Sequence, residues 1–365
     1  MELSDFKYSV DYSKLSPRPK LDQEYDIISP QGRRLYFNAV VGEEITALRE
    51  FLKQNTFIGY LLAPKMAGKG TYTNMLKEVI GEGYFENISV GDLVRNAEKE
   101  YLETGEGDSP LYVYTTENYR GLMGLDDIFA SLTNRSTAGL SVPTDFVLML
   151  IKREIDKIGH KSIFIDGFPR SVDQVSYSLY MRDLVNYRDD PDCFILINLP
   201  VSVINARIKE RRTCPVCRNS RNLELSLTSI IGYDEEKDEI YLGCDNPSCK
   251  EKGIRMERKE GDEKGIALIK DRIITDLQVM EMARKMYGIE KIELYNSVEA
   301  SVADKYTYEF DRTAAYYHEY KDGKVVSTKK DFEVEDHGVK YVSMMPPWVV
   351  VQFIRELSRM FGLTK

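Results

Sequence analysis

The apolar run from Thr56 to Leu62 ends at Ala63-Pro64-Lys65-Met66-Ala67-Gly68-Lys69-Gly70-Thr71, and a helix-compatible stretch runs from Lys69 to Ile80. A buried strand that turns through glycines straight into a helix is the most restrictive local pattern in this chain. Such a turn aims backbone N–H groups at one point, and the helix dipole adds positive potential there, so it is suited to an anion. Gly68 and Gly70 let the backbone approach phosphate oxygens, and Lys69 adds a mobile cation. The spacing follows the phosphate-loop pattern G-x4-G-K-[ST] with two departures: Ala63 stands at the first glycine, and Gly70 separates Lys69 from Thr71. The alternative, an accidental Gly-Lys turn, is disfavoured by the strand and helix that flank it.

Strand-then-helix alternation continues beyond this turn. Further strands are expected at Tyr84–Ser89, Lys161–Asp166, Cys193–Leu199 and Lys291–Tyr295, with helices beginning near Asp92, Thr144, Ser171 and Val203. That order predicts an α/β fold, a parallel sheet covered by helices. Before it, a short strand at Leu35–Val41 and a helix at Glu44–Gln54 are expected. A long polar insert, residues 96–138, interrupts the pattern. In the tail, Thr313–Tyr320, Lys321-Asp322-Gly323 and Lys324–Lys329 read as a β-hairpin, and a last helix, Trp348–Phe361, follows Pro346-Pro347.

The chain has 365 residues, 42% hydrophobic and 30% charged, which is enough for about two domains of ~150 residues each without disulfide staples. Its 50 basic and 59 acidic residues leave a net charge of −9, which weighs against bulk nucleic-acid or anionic-membrane binding. No apolar run approaches the ~18 residues of a membrane span, and no secretory signal is visible, so a cytoplasmic location is expected.

Four of the five cysteines form two close pairs, Cys214-x2-Cys217 and Cys244-x4-Cys249, with 26 residues between the pairs. Four thiolates in two tight turns suit a closed tetrahedral Zn²⁺ site of structural character, because no position is left open for catalysis. Disulfides are the alternative, disfavoured by the expected compartment.

Gly68-Lys69-Gly70-Thr71 resembles the loop of adenylate kinases and related nucleoside monophosphate kinases. Further blocks resemble the family in its order: Ile88-Ser89-Val90-Gly91-Asp92-Leu93-Val94-Arg95, Gly139–Val147, Asp166-Gly167-Phe168-Pro169-Arg170 with Gln174 four residues on, and Arg207-Ile208-Lys209-Glu210-Arg211-Arg212. The resemblance covers roughly residues 56–298. It implies a P-loop NTPase-type parallel sheet with an inserted monophosphate-binding domain and a zinc-binding lid. The implied division is an N-terminal extension (1–55), core (56–90), monophosphate-binding domain with insert (91–142), core (143–212), zinc lid (213–260), core (261–303), and a C-terminal hairpin and final helix (304–365).

The resemblance also implies roles. Met66, Ala67, Gly68, Lys69, Gly70, Thr71, Arg207 and Arg211 would bind ATP, with Arg207 stacking on the donor adenine and Arg211 on the transferring phosphates. Val90, Arg95, Leu140, Ser141, Val142, Gly167, Phe168, Pro169, Arg170, Gln174, Arg258 and Arg272 would bind the monophosphate, Arg258 being the weaker match. Lys69, Arg95, Asp166, Arg170, Arg211 and Arg272 would carry catalysis, with Asp166 orienting water-bound Mg²⁺. The acceptor phosphate is already ionised, so no general base is needed, and none of the three histidines lies near a motif. Gln174 fits an adenine reader and favours AMP, whereas Val90 and Ser141 depart from the usual threonine and leucine, which leaves GMP, CMP and UMP open. The donor-adenine pocket is expected at Asn296-Ser297-Val298 or at Ser343-Met344-Met345-Pro346. A catalytically weak nucleotide sensor with a protein partner, and a zinc-ribbon nucleic-acid binder, are the alternatives from other classes.

Overall fold

The computed structural model describes residues 2–104, 107, 109–134, 142–176 and 190–364. Along the chain run Pro30–Phe51 (α1), Ile58–Leu62 (β1), Lys69–Ile80 (α2), Phe85–Ser89 (β2), Val90–Thr104 (α3), Pro110–Asn118 (α4), Leu125–Thr133 (α5), Thr144–Ile158 (α6), Ser162–Asp166 (β3) and Asp192–Asn198 (β4). Then come Val201–Lys209 (α7), Arg211–Thr213 (β5), Ser220–Asn222 (β6), Ile230–Asp234 (β7), Glu239–Gly243 (β8), Lys270–Lys285 (α8), Glu290–Tyr295 (β9) and Ser297–Glu299 (β10). The tail holds Ala314–Lys321 (β11), Lys324–Asp331 (β12), Glu333–Asp336 (β13), Val339–Ser343 (β14) and Pro346–Met360 (α9).

The main sheet is parallel throughout, in the order β2-β3-β1-β4-β9, so β1 lies at its centre. Successive side chains of a strand point to opposite faces, and β1 shows it: Ile58, Tyr60 and Leu62 belong to one core, Leu61 to the other. Helices cover both faces, which is why the inner strands β3, β1 and β4 read as near-continuous apolar runs, whereas the edge strands β2 and β9 carry polar residues among their apolar ones. The first core takes α1, α2 and α9. The second takes α3 to α6 and α8, with Leu111, Ile128, Phe129 and Leu132 of the 96–138 insert buried in it. Among its described residues that insert holds the end of α3, α4 and α5, with apolar faces turned into the core, rather than a polar loop.

The expected strand at Leu35–Val41 is not formed. One helix spans Pro30–Phe51, with a break in helical geometry at Val41. Its start was encoded: Ser29 accepts the Gly32 N–H at 3.1 Å, and Pro30 stands at the first helical position. Tyr36, Phe37, Val41, Ile45 and Leu48 supply the buried stripe, so helical spacing outweighed the β-branched and aromatic character of the segment. The helix packs on α9, and the two cover one face of the sheet.

A buried carboxylate joins this cover to the tail. Asp311, 1% exposed, accepts hydrogen bonds from the Tyr36 hydroxyl and the Tyr308 N–H, both at 3.0 Å. Burial raises its carboxyl to about 6, against the opposing pull of those bonds and of Arg18 and Arg312. The folded chain then holds this proton more tightly than the unfolded chain, whose carboxyl titrates near ~3.9. The contribution to stability is complete below the unfolded value and is lost as pH rises through about 6. Urea unfolding at stepped pH should therefore show a wild-type decline between ~4 and ~6 that Asp311→Asn lacks. Parallel profiles for the two proteins would refute it.

The tail hairpin forms as the sequence indicates, with Asp322 and Gly323 both left-handed at its two-residue turn. It lies against the cysteine-bearing segment. The Tyr316 N–H donates to the Glu224 carbonyl at 2.8 Å, and His318 Nε2 donates to the Leu223 carbonyl at 2.7 Å. Tyr320 stacks on Tyr233 with ring centroids 3.9 Å apart.

Candidate active site

The central strand β1 delivers residues 63–71 to the carboxyl edge of the sheet, where open α/β sheets bind ligands. Gly68, at φ +102°, is the residue preceding α2, and a Cβ there would stand 2.8 Å from the Tyr72 ring. Met66 is also left-handed, at φ +69°, an uncommon conformation for a residue with a side chain. The Lys69 ammonium donates to the Ala63 carbonyl at 2.8 Å and lies 3.6 Å from the Asp166 carboxylate. The cleft over this loop has a volume of about 450 Å³ and is lined by residues 65–71 with Asp166, Arg170 and Arg272.

Gly167, Phe168 and Pro169 carry the chain from β3 to Arg170, with Phe168 buried beneath. Arg170 faces the open cleft, yet the surrounding protein strips part of its hydration and holds its guanidinium below the ordinary value; Arg272 adds to that fall. Arg95 stands nearby and is paired with Asp92. A Cβ on Gly91 would sit 3.4 Å from Arg95 and 3.6 Å from Arg170, so the glycine keeps the space between the two forks. Gln174 is already engaged: its Oε1 accepts the Arg170 N–H at 2.8 Å, and its Nε2 donates to the Thr144 hydroxyl at 2.8 Å. Val90 opens α3 and is buried, and Val142 is half-buried. Leu140 and Ser141 lie outside the described residues.

On the opposite flank, Arg207 braces the loop. Its guanidinium donates to the carbonyls of Met66 (3.0 Å) and Ala67 (3.2 Å) and to Asn296 Oδ1 (3.1 Å). Asn296 is fully buried and also bonds the Tyr72 hydroxyl, the Ser343 hydroxyl and the Met344 carbonyl. Ser297 pairs with Ser343 in the β10–β14 ladder, so the two expected segments for the donor base are neighbours in space. Arg211 makes a two-pronged contact with Asp262, 2.7 Å on each prong, and its third nitrogen lies 3.4 Å from Met66 Sδ. Arg258 pairs with Glu210, and among the described residues it does not line the cleft.

The sequence reading did not pick out three residues of this site: Lys65, Asp262 and Asp276. Asp276 lies one helical turn after Arg272 on α8, 3.4 Å from its Nε, a spacing legible as an i,i+4 pair. Burial raises the Asp276 carboxyl, while Arg272 and Lys69 oppose the rise. Asp262 follows a stretch without a recognisable motif, and no sequence signal marked it.

The four paired cysteines converge. Their sulfur atoms lie within 4.8 Å of one another, with Cys214–Cys249 at 3.8 Å and Cys217–Cys244 at 3.6 Å. These are the edges of a tetrahedron around an ion ~2.3 Å from each sulfur, so the donor set fits Zn²⁺. As a free thiol, Cys217 is drawn down to about 6 by the Asn219 backbone N–H, while burial pushes Cys244 up to about 12. Cys193, the fifth, is wholly buried in β4, where burial raises its thiol further still.

A larger cavity, about 630 Å³, lies between residues 5–14, α8 and the ends of β4 and β9. Its central charges already satisfy one another, Arg284 with Glu293 at 2.9 Å and with Glu281, so the loop cleft is the better candidate for chemistry.

The chain is similar to adenylate kinases. It is 29% identical over 193 residues to the adenylate kinase of Hydrogenobaculum sp., covering 50% of this chain and 78% of that one. With the adenylate kinase of Thermotoga petrophila it shares 28% over 198 residues (54% and 71%), and with that of Clostridium acetobutylicum 28% over 173 (47% and 67%). No protein-family model matches the chain. About half of the chain thus carries an adenylate-kinase-like sequence on a phosphate-loop sheet, alongside a four-cysteine cluster. No helix among the described residues is long and apolar enough to cross a membrane.

Proposed function

We propose that the chain is a cytoplasmic adenylate kinase, transferring the γ-phosphoryl group of ATP reversibly to AMP to give two ADP. The observation that carries this reading is the convergence of Lys69, Arg170 and Arg272 with the carboxylate of Asp166 around one phosphate-loop cleft. Phosphoryl transfer asks little covalent help of a protein; it asks for alignment and for positive charge around the moving group. The loop amides and Lys69 would hold the donor phosphates, and Arg170 with Arg95 would hold the acceptor phosphate in guanidinium forks. Arg272 lies beside both. Mg²⁺, when bound with ATP, supplies charge neutralisation between the phosphates, and Asp166, partly exposed at the cleft, fits a carboxylate holding its water shell. Arg211 would exchange Asp262 for the transferring phosphates as the zinc segment closes, and closure would exclude water.

Gln174 would read adenine only by giving up the Thr144 hydroxyl or the Arg170 N–H. Another base at the acceptor site is therefore the alternative within this reading. A second reading, a nucleotide sensor with weak turnover, is favoured by the buried Arg211–Asp262 clamp.

A coupled ADP-release assay with Mg·ATP against AMP, GMP, CMP, UMP and no acceptor tests these readings together. Turnover is expected with AMP well above the other acceptors. Preference for another monophosphate would move specificity to that base. No turnover with any acceptor, in folded zinc-loaded protein, would favour the sensor.

A further inference from the structure

We infer that Lys65 is a second cation of the loop that binds the polyphosphate directly, alongside Lys69. This rests on the phosphoryl-transfer reading of the same cleft and adds a residue to it. Lys65 lines the cleft together with Lys69, Arg170 and Arg272, and it is half-buried. Among the described residues its ammonium has no hydrogen-bond or ion-pair partner, although carboxylates stand close by. Those carboxylates are engaged elsewhere: Asp262 by Arg211 and Asp166 by Lys69.

Lys65 instead feels mostly cations. Burial, then Lys259, Arg211 and Arg272, each weaken its hold on a proton, and only Asp262 opposes them. Among the described residues, Lys65, Lys69, Arg170 and Arg272 line the cleft with the single carboxylate of Asp166, so positive charge is in excess there. Holding a half-buried ammonium among like charges costs folding free energy, which Asp262, itself clamped by Arg211, offsets only in part. A polyanion in the cleft offsets it at once. Met66, left-handed beside Lys65 and touching Arg211 through its sulfur, links this loop turn to the arginine of the zinc segment.

The ligand class is a linear polyphosphate: the triphosphate of the donor, or inorganic tripolyphosphate as its simplest probe. The test compares wild type, Lys65→Met and Lys65→Arg by titration calorimetry with ATP and with tripolyphosphate, and by thermal unfolding without ligand. Lys65→Met should bind both anions roughly tenfold more weakly or worse, as expected for loss of a charge-assisted contact. Lys65→Arg should largely restore binding. Without ligand, Lys65→Met should melt at or above the wild-type temperature, because it removes repulsion. Unchanged binding in Lys65→Met, or a lower melting temperature of the free protein, would overturn the inference. Wild type that binds tripolyphosphate with Lys65 dependence yet transfers no phosphoryl group would overturn the kinase reading and leave Lys65 standing. Wild type that binds neither anion would overturn both.

Discussion

Lys69→Met should lower phosphoryl transfer by roughly a hundred- to a thousandfold, the usual consequence of deleting one preorganised charge at a transition state. The effect should fall on kcat more than on KM, because the loop amides and the arginines still hold the ground-state phosphates. Stability should change little. Methionine nearly matches the length of lysine, and the losses are the bonds to the Ala63 and Pro64 carbonyls and the neighbour of Asp166. Loss of these two part-buried bonds is expected to cost about 1 kcal/mol. Coupled-assay kinetics and urea unfolding on one preparation check both halves. A variant that keeps a third or more of wild-type kcat would remove Lys69 from the chemistry.

Zinc removal should have the second largest effect. The segment from Arg211 to Glu257 is two small hairpins around a core of Cys214, Leu242, Cys244, Cys249 and Met256. So few apolar side chains do not offset the entropy of ordering this segment, and metal–thiolate bonds are the standard substitute. Stripping zinc with a chelator, or replacing Cys214 and Cys244 with serine, should erase hydrogen-exchange protection across β5 to β8. Protection of the central sheet should persist, because its two cores do not depend on this segment. Protection should also fall in the β11–β12 hairpin, whose partners Leu223, Glu224 and Tyr233 lie in the zinc segment. Activity should drop at least tenfold as Arg211 loses its fixed position. Exchange protection that survives chelation in β7–β8 would show that the segment folds without metal.

Much of the architecture was legible because its signals are local. Apolar segments between turns marked the inner strands β3, β1 and β4, strand-then-helix alternation pointed to β2 and β9, and Gly68 with Lys69 marked the loop because a left-handed glycine before a helix is a backbone requirement. Close cysteine pairs marked the convergent sulfur cluster for the same reason, since each pair is a single tight turn. Asp322-Gly323 marked the hairpin. At α1 the β-branched and aromatic composition misled, although the Ser29-Pro30 cap and the spacing of the buried residues were there to be read.

The site was legible only in part. Arg170 and Asp166 lie within five residues of one another and read as a block. Arg211, by contrast, meets Asp262 across 51 residues, and Arg207 meets Asn296 across 89. No periodicity records such pairings, because they depend on how the cysteine-bearing segment and the sheet edge are docked. The sequence by itself determined the sheet, the phosphate loop and the cysteine cluster, all of which follow from backbone geometry and hydrophobic spacing. Only the tertiary structure decided that α1 and α9 together cover one face, that the tail hairpin grips the cysteine-bearing segment, and that Lys65, among the described residues, lines the cleft without an ion-pair partner. Each of these is settled by packing and charge between residues far apart in the chain, where the energy of a contact depends on what the whole fold brings beside it.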